Sequence, residues 1–170
     1  MSNSEDRYQV PAGITTNQLG RRYVARTIDS LVVLALAAFA YIPITMLAAG
    51  GSFLAGAAGT LSVVSIQILY GSLLESSAWQ ATLGKKWLGL KVYNASGGRL
   101  TLPQAFARTA IKDLPFFALA MLPMGQLLSI GWLICHIAAV QMSPVSQAIH
   151  DRMAQTWVGA PEETVQLRLS

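Results

Sequence analysis

The chain has 170 residues, of which 53% are hydrophobic and only 12% charged, and its formal net charge is +4. Soluble domains carry about 25% charged residues. No Asp, Glu, Lys or Arg occurs between Asp29 and Glu75, or between Asp113 and Asp151. A helix at a soluble surface needs a polar face, whereas a helix surrounded by lipid does not. The composition therefore excludes an ordinary soluble domain and predicts an integral membrane protein.

The basic residues do not indicate a nucleic-acid-binding protein. They flank the apolar segments and form no basic face interleaved with aromatic side chains. Cys135 is the sole cysteine, which excludes a disulfide within the chain. His136 and His150 are the sole histidines, and their spacing is not that of zinc ligands. We therefore expect no nucleic-acid partner, no metal and no cofactor.

The first apolar segment is expected to stay in the membrane as a helix. Residues 31–49 carry no charge, and the run is longer than the core of a cleavable signal peptide. After two glycines, a second span covers residues 52–74. Gly51, Ala55 and Gly59 recur there at every fourth position, a spacing that suits close approach of another helix in lipid. This face predicts a homo-oligomer, unless these are ordinary small residues of a Gly-rich span.

A polar segment, residues 75–102, follows the second span. Trp79 and Trp87 alternate there with lysines, among them Lys86 and Lys91. Indoles prefer the headgroup region of a bilayer, and lysines extend towards water. We therefore expect an amphipathic segment that lies at the membrane interface.

The stretch 103–142 is too long for one span and is expected to break at Pro123. Its first helix is predicted to bend at Pro115 from the membrane surface into the bilayer. Basic residues gather before the first span and in the polar segment, and basic loops face the cytoplasm. Four spans place both termini in the cytoplasm, whereas three, the alternative, export the C-terminus. The predicted fold is an all-α bundle of four transmembrane helices, with the interfacial amphipathic segment between the second and third.

The domain boundaries follow the change between polar and apolar composition. Residues 1–18 are predicted to form a disordered cytoplasmic tail. Residues 19–158 form the transmembrane domain, and residues 159–170 form a flexible C-terminal tail.

Arg22, Arg26 and Asp29 are spaced so that a helix places them along one face at the membrane entrance. Apolar residues follow Asp29 directly. A carboxylate costs about 2.5–3.5 kcal/mol at mid-bilayer and less near the interface. We therefore expect Asp29 to pair with one of the two arginines, the alternative being a helix end bordered by interfacial charge.

These residues and three later matches resemble the RDD family of bacterial membrane proteins, which is named for one arginine and two aspartates. Residues 22–29 read RYVARTID, with an arginine and an aspartate at the ends. Residues 82–92 read TLGKKWLGLKV, and residues 150–158 read HDRMAQTWV. Arg108 is similar to a later arginine of the family. The matches follow the order of the family over residues 19–158.

The resemblance implies a bacterial inner membrane location and a cytoplasmic-side charge network of Arg22, Asp29 and Asp151. Gly84 and Gly89 in the loop motif permit tight turns or close helix approach. The supporting set combines motif residues with charged residues at helix ends: Arg26, Glu75, Thr82, Gly84, Lys85, Gly89, Arg108, His150 and Thr156.

Structural roles compete with functional ones at several of these positions. Lys85 is expected to reach a lipid phosphate or the Glu75 carboxylate, and the loop motif then acts either in transport or as a membrane-surface clamp. The His150-Asp151 pair beside Thr156 is compatible with a capped turn that ties the tail to the bundle.

Two further polar features lie inside the apolar segments. Gln67, Gly71 and Glu75 form a stripe at helical spacing, which is expected to line a small hydrated cavity with Asp29. Alternatively, Gln67 bonds across helices and Glu75 lies at the water line. We expect His136 to be neutral and hydrogen-bonded, the alternative being a proton relay.

The sequence contains no recognisable catalytic set, so we do not expect an enzyme. The leading hypothesis is transport, in which a carboxylate beside an arginine exchanges a proton for a small monovalent cation. The resemblance agrees, because some relatives are associated with sodium/proton exchange. The alternative is a non-transporting accessory or scaffold membrane protein that binds a partner or an anionic lipid through residues 79–93.

Overall fold

The computed structural model describes residues 10–47, 53–120, 122 and 124–162. Within these ranges the chain is mostly helical and carries a small sheet. In chain order the elements are β1 Ile14–Thr15, α1 Leu19–Leu47, α2 Phe53–Ser76, α3 Leu83–Trp87, β2 Lys91–Asn94, α4 Leu102–Ala120, α5 Gly125–Met142, α6 Ile149–Met153 and β3 Thr156–Pro161.

Three described helices are long and apolar enough to cross a membrane: α1, α2 and α5. Their outer faces expose large apolar side chains, for example Leu34 (66%) and Phe39 (82%) on α1. Water would disfavour such faces, and lipid does not. The predicted helical membrane protein is confirmed to this extent. The helix α4 is of similar length but carries Arg108, Lys112 and Asp113, so the structure does not establish it as the fourth span.

The described residues also include a three-stranded antiparallel sheet of order β1-β3-β2, which the all-α prediction omitted. Ile14 pairs with Pro161, and Val92 pairs with Val158. The tails predicted to be disordered or flexible therefore contribute strand residues 14–15 and 159–161. Pairing partners so distant in sequence are chosen by tertiary packing, and local composition carries no signal for them. Residues 1–9 and 163–170 of the two tails lie outside the described residues.

The sheet and helix ends gather at one end of the molecule. An apolar cluster of Ile14, Tyr93, Val145 and Trp157 packs on the sheet. The helix α2 packs against both α1 and α4, α5 packs against α4, and α6 packs against α4 and β3. The predicted break at Pro123 lies outside the described residues, between the end of α4 and the start of α5.

The short helix α3 docks on α1 through Gly84. A Cβ atom at this position would collide with the carbonyl oxygen of Ala25 and would lie 3.1 Å from Cγ of Asp29. Gly89 has a positive φ of 71° in the turn that follows, a conformation that favours glycine. Both glycines of the loop motif therefore have a steric reason in the fold.

The small-residue face of α2 is described only in part. Gly51 lies outside the described residues, and nothing is described of the Ala55 side chain. At Gly59, an added Cβ atom would collide with the ring of Tyr41 in α1. This part of the face therefore packs within the chain, and the predicted homo-oligomer stays a prediction.

Replacing Gly84 with alanine should destabilise the protein by about 1–3 kcal/mol, the range for overpacking a filled site, because the backbone of α1 blocks the new methyl group. Gly20→Ala is the matched control, since a Cβ atom there meets nothing within 4 Å. Unfolding midpoints in detergent measure both variants. Equal midpoints for the two would contradict the docking of α3 on α1.

Candidate functional site

Arg108 is the centre of a buried ion-pair network. Its side chain is 1% exposed, and its guanidinium contacts Glu75 at 2.5 Å and Asp151 at 2.6 Å. Its Nε also donates to Asp151 Oδ1 at 3.0 Å and to Thr156 Oγ1 at 3.1 Å. A planar guanidinium can bridge several acceptors at fixed angles, which a lysine cannot. Arg108 thereby joins α2, α4, α6 and the start of β3.

Lys85 provides the second cation on Glu75, and its ammonium forms an ion pair with the fully buried carboxylate. This contact realises one of the two roles expected of Lys85. Burial lowers the pKa of Lys85, although the neighbouring Glu75 carboxylate acts in the opposite direction. The ion pair therefore connects α3 to the end of α2.

Asp151 is completely buried and is held by two arginines. Arg22 donates to its Oδ2 at 2.6 Å from the first turns of α1, opposite the Arg108 contact. The backbone N–H of Ala148 donates to the same oxygen at 3.2 Å. Burial alone would raise the pKa of Asp151, but the Arg108 guanidinium, helped by Arg22, holds this pKa well below its usual range. Two of the three predicted network residues, Arg22 and Asp151, therefore meet.

Asp29 is bound differently from the prediction. Its carboxylate accepts hydrogen bonds from the Tyr70 hydroxyl at 2.7 Å, the Thr82 hydroxyl at 2.5 Å and the Gly84 N–H at 2.8 Å. Among the described residues it forms no ion pair, so the expected pairing with an arginine is wrong. Three oriented donors can satisfy a buried carboxylate without a counter-charge. They come from Tyr70 on α2 and from Thr82 and Gly84 at the start of α3, which meet Asp29 only after the chain has folded.

Arg26 instead faces Asp113 on α4, at 3.3 Å. Lys112 lies 3.3 Å from the same carboxylate, and the Gln67 amide lies 3.4 Å from it. The side chain of Arg26 is half exposed, whereas that of Lys112 is 15% exposed. One carboxylate is therefore shared by two cations at long distance, which is a looser arrangement than the one around Arg108.

A cavity of about 610 Å³ adjoins these groups. The helices α1, α2, α4 and α5 all line it, and so do Thr82, Lys85, Ala148 and His150. Gln67, Gly71 and Asp29 line it as predicted from the stripe on the second helix, but Glu75 does not. The cavity has a charged end beside the network and an apolar end between the helices.

His136 and His150 connect α5 to α6. His136 Nε2 lies 3.1 Å from His150 Nδ1, and the rings stack with their centroids 5.2 Å apart. Burial lowers the pKa of His150 well below its usual value of 6.5, although the adjacent Asp151 carboxylate acts in the opposite direction. His150 is therefore neutral at pH 7 and contributes packing and hydrogen bonding.

Sequence reasoning missed three polar residues of the site: Tyr70, Lys112 and Asp113. The signal for Tyr70 was its position one helical turn after Gln67, facing the same side. Lys112 and Asp113 are adjacent in the stretch 103–142, but Asp113 contacts Arg26 and Gln67 on other helices, for which the local sequence carries no signal. Among the described residues no group of three or more His, Cys, Asp or Glu side chains is placed to hold a metal ion.

The fold and the network define a small helical membrane protein with a charged, sheet-capped end. A model of the RDD family matches residues 16–155, which is most of the chain. The protein belongs to the RDD family, and the resemblance seen in its motifs is confirmed.

One relative is the uncharacterized protein YxaI of Bacillus subtilis (strain 168), which is 48% identical over 48 residues. The matched segment covers 28% of this chain and 32% of that protein, so the likeness is confined to a third of the relative's length. No solved structure matches the chain significantly.

Arg108→Gln should lower the free energy of unfolding by about 3–5 kcal/mol, because removing one partner of a buried ion pair leaves the others uncompensated. Arg99→Gln, at an exposed position, is the charge-matched control and should be near neutral. A Glu75→Gln substitution added to Arg108→Gln should recover part of the loss. Denaturant unfolding in detergent measures these values, and additive single and double effects would contradict the network.

His150→Gln should make stability less sensitive to pH between 7 and 5. In the wild type the unfolded chain protonates His150 below about pH 6.5 while the folded chain does not, so stability falls as the pH falls. Glutamine removes this difference in bound protons. Unfolding midpoints across this range test the point, and an unchanged slope would contradict a neutral, buried His150.

Proposed function

We propose that the protein is a non-transporting accessory membrane protein, locked together by its buried ion pairs and associated with anionic lipid through residues 79–93. The observation that supports this proposal is the burial and ion pairing of the carboxylates. Glu75 and Asp151 are fully buried and each contacts two cations, and Asp113 is shared by two others. Exchange of a proton for a cation requires a carboxylate that can change partners, whereas these three carboxylates are already paired with cationic side chains.

The surface of segment 79–93 suits contact with an anionic membrane. Trp79 and Trp87 are 43% and 74% exposed, and Lys86 and Lys91 are exposed beside them. The Lys86 ammonium lies 3.3 Å from the centroid of the Trp79 ring, a cation–π contact. Exposed indoles with neighbouring lysines favour the headgroup region of anionic bilayers.

For the topology we propose four membrane-embedded helices, with α4 entering the bilayer beyond Asp113. The antiparallel pairing of β1 with β3 supports a common face for both ends of the chain. Arg22, Lys85 and Lys91 gather at that end, and basic ends face the cytoplasm. We propose the bacterial inner membrane as the location. A homo-oligomer and the absence of enzymatic activity stay predictions.

The second candidate is exchange of a monovalent cation for a proton, and it depends on Asp29. This carboxylate lines the cavity and, within the described residues, has no ion-pair partner. It could bind a cation as it loses a proton. The surroundings oppose this, because five cationic side chains line the same cavity and repel a small cation.

The two candidates separate in liposomes that contain a pH-sensitive dye. We expect no movement of protons driven by a sodium or potassium gradient, either with wild-type protein or with Asp29→Asn. Gel filtration and circular dichroism in detergent establish that both proteins are folded. Gradient-driven proton movement that is present in the wild type and lost in a folded Asp29→Asn variant would replace our proposal with the exchanger.

A separate measurement tests the lipid contact of segment 79–93. In nanodiscs with bromine-labelled anionic lipid, Trp87 fluorescence should be quenched more than with labelled zwitterionic lipid, with a Trp87→Phe variant as the background. Replacing Lys86 and Lys91 with glutamine should remove most of the difference, since each lysine near an anionic surface contributes about 1 kcal/mol. Equal quenching in both lipids would contradict the proposal.

A further inference from the structure

We infer that the cavity between α1, α2, α4 and α5 binds an amphiphile with an acidic headgroup and a hydrocarbon tail. Its volume of about 610 Å³ lies in the range of small-molecule sites, roughly 300–1,000 Å³. This inference is independent of segment 79–93, which lies outside the cavity except for Thr82 and Lys85.

The charges at the polar end of the cavity select an anion. Five cationic side chains line it, against two carboxylates, Asp29 and Asp113. The other two acidic members of the network, Glu75 and Asp151, do not line the cavity. They contact Arg22, Lys85 and Arg108 from outside it. At the polar end of the cavity a ligand therefore meets more cationic than anionic side chains.

Arg26 and Lys112 are the headgroup ligands. Both approach Asp113 only at 3.3 Å, whereas Arg22 and Arg108 bind Asp151 at 2.6 Å. An arginine has five N–H donors and a lysine has three. The loosely held pair therefore has donors for a phosphate or carboxylate headgroup, while the tightly held pair keeps the network intact.

The opposite end of the cavity is apolar and suits a hydrocarbon tail. Val33 and Ala37 line it from α1, Phe117 from α4, and Leu133 from α5. Arg26 and Ala37 are on the same helix, so the rise of about 1.5 Å per residue separates the two ends by roughly 16 Å. A small polar ion would leave this end empty, whereas an amphiphile fills both.

The packing of the helices gives such a ligand a route from the bilayer. The helix α1 packs against α2 and α3, whereas α5 packs against α4 and α6. The cavity therefore lies between two helical hairpins, with α1 and α5 on either side of it. A tail dissolved in the membrane can enter between them while its head stays at the polar end.

The test uses the full chain in a neutral maltoside detergent, with the thermal unfolding midpoint as the readout. Dodecyl phosphate should raise the midpoint in a saturable manner, because a ligand that binds the folded state stabilises it. Inorganic phosphate and dodecanol, which each lack one half of the amphiphile, should not. Phosphatidylglycerol and lauric acid form two further arms, which distinguish a membrane phospholipid from a free fatty acid as the source of the headgroup.

Two variants locate the site. Arg26→Gln should weaken dodecyl phosphate binding about tenfold, the worth of one hydrogen bond to a charged group, and Ala37→Phe should block the tail. Arg99→Gln is the matched surface control. Because Arg26 is half exposed with one loose ion pair, its variant should fold, and the ligand-free midpoint verifies this.

Stabilisation by inorganic phosphate equal to that by dodecyl phosphate would overturn the inference, and so would unchanged affinity in both folded variants. The result for the cavity can be separated from the result for the lipid contact of segment 79–93. Replacing Lys86 and Lys91 should leave dodecyl phosphate binding in micelles unchanged, so either proposal can fail while the other stands.

Discussion

The structure depends on keeping one arginine ionised away from water. A guanidinium is costly to bury unless its donors are all used by acceptors of opposite charge. Arg108 meets this requirement with Glu75 on one side and Asp151 on the other. Because the three residues come from α2, α4 and α6, satisfying one charge fixes the relative positions of three elements.

The other charged contacts extend from this pair. Arg22 joins the first turns of α1 to Asp151, and Lys85 joins α3 to Glu75. The sheet reinforces the same end of the molecule, since β3 carries Thr156, which accepts from Arg108. The polar end is thereby held together by ion pairs and strand pairing, and the cavity adjoins it between the helices. Under our inference the tightly paired network has a structural role, and the loosely paired group of Arg26, Lys112 and Asp113 has a binding role.

The membrane helices and many residues of the candidate site could be predicted from the sequence. The long uncharged segments predicted membrane helices. The resemblance to the RDD family grouped Arg22 with Asp151 and named Lys85 and Arg108 among the supporting residues. The pairing was predicted less well. Asp29 was expected beside an arginine because helical spacing reports only neighbours on its own helix, while its actual donors come from Tyr70 on α2 and from the α3 segment.

By itself the sequence determined that the chain carries membrane helices, because its long uncharged runs partition into lipid. It also determined membership of the RDD family, because the family's motifs occur in order along the chain. Only the tertiary structure decided which cation pairs with which carboxylate, that residues of the two tails pair in a sheet, and that five cationic side chains line the cavity. The reason is physical: local patterns record how each segment partitions between water and lipid, whereas ion pairs and strand pairs depend on distances between segments that are far apart in the chain.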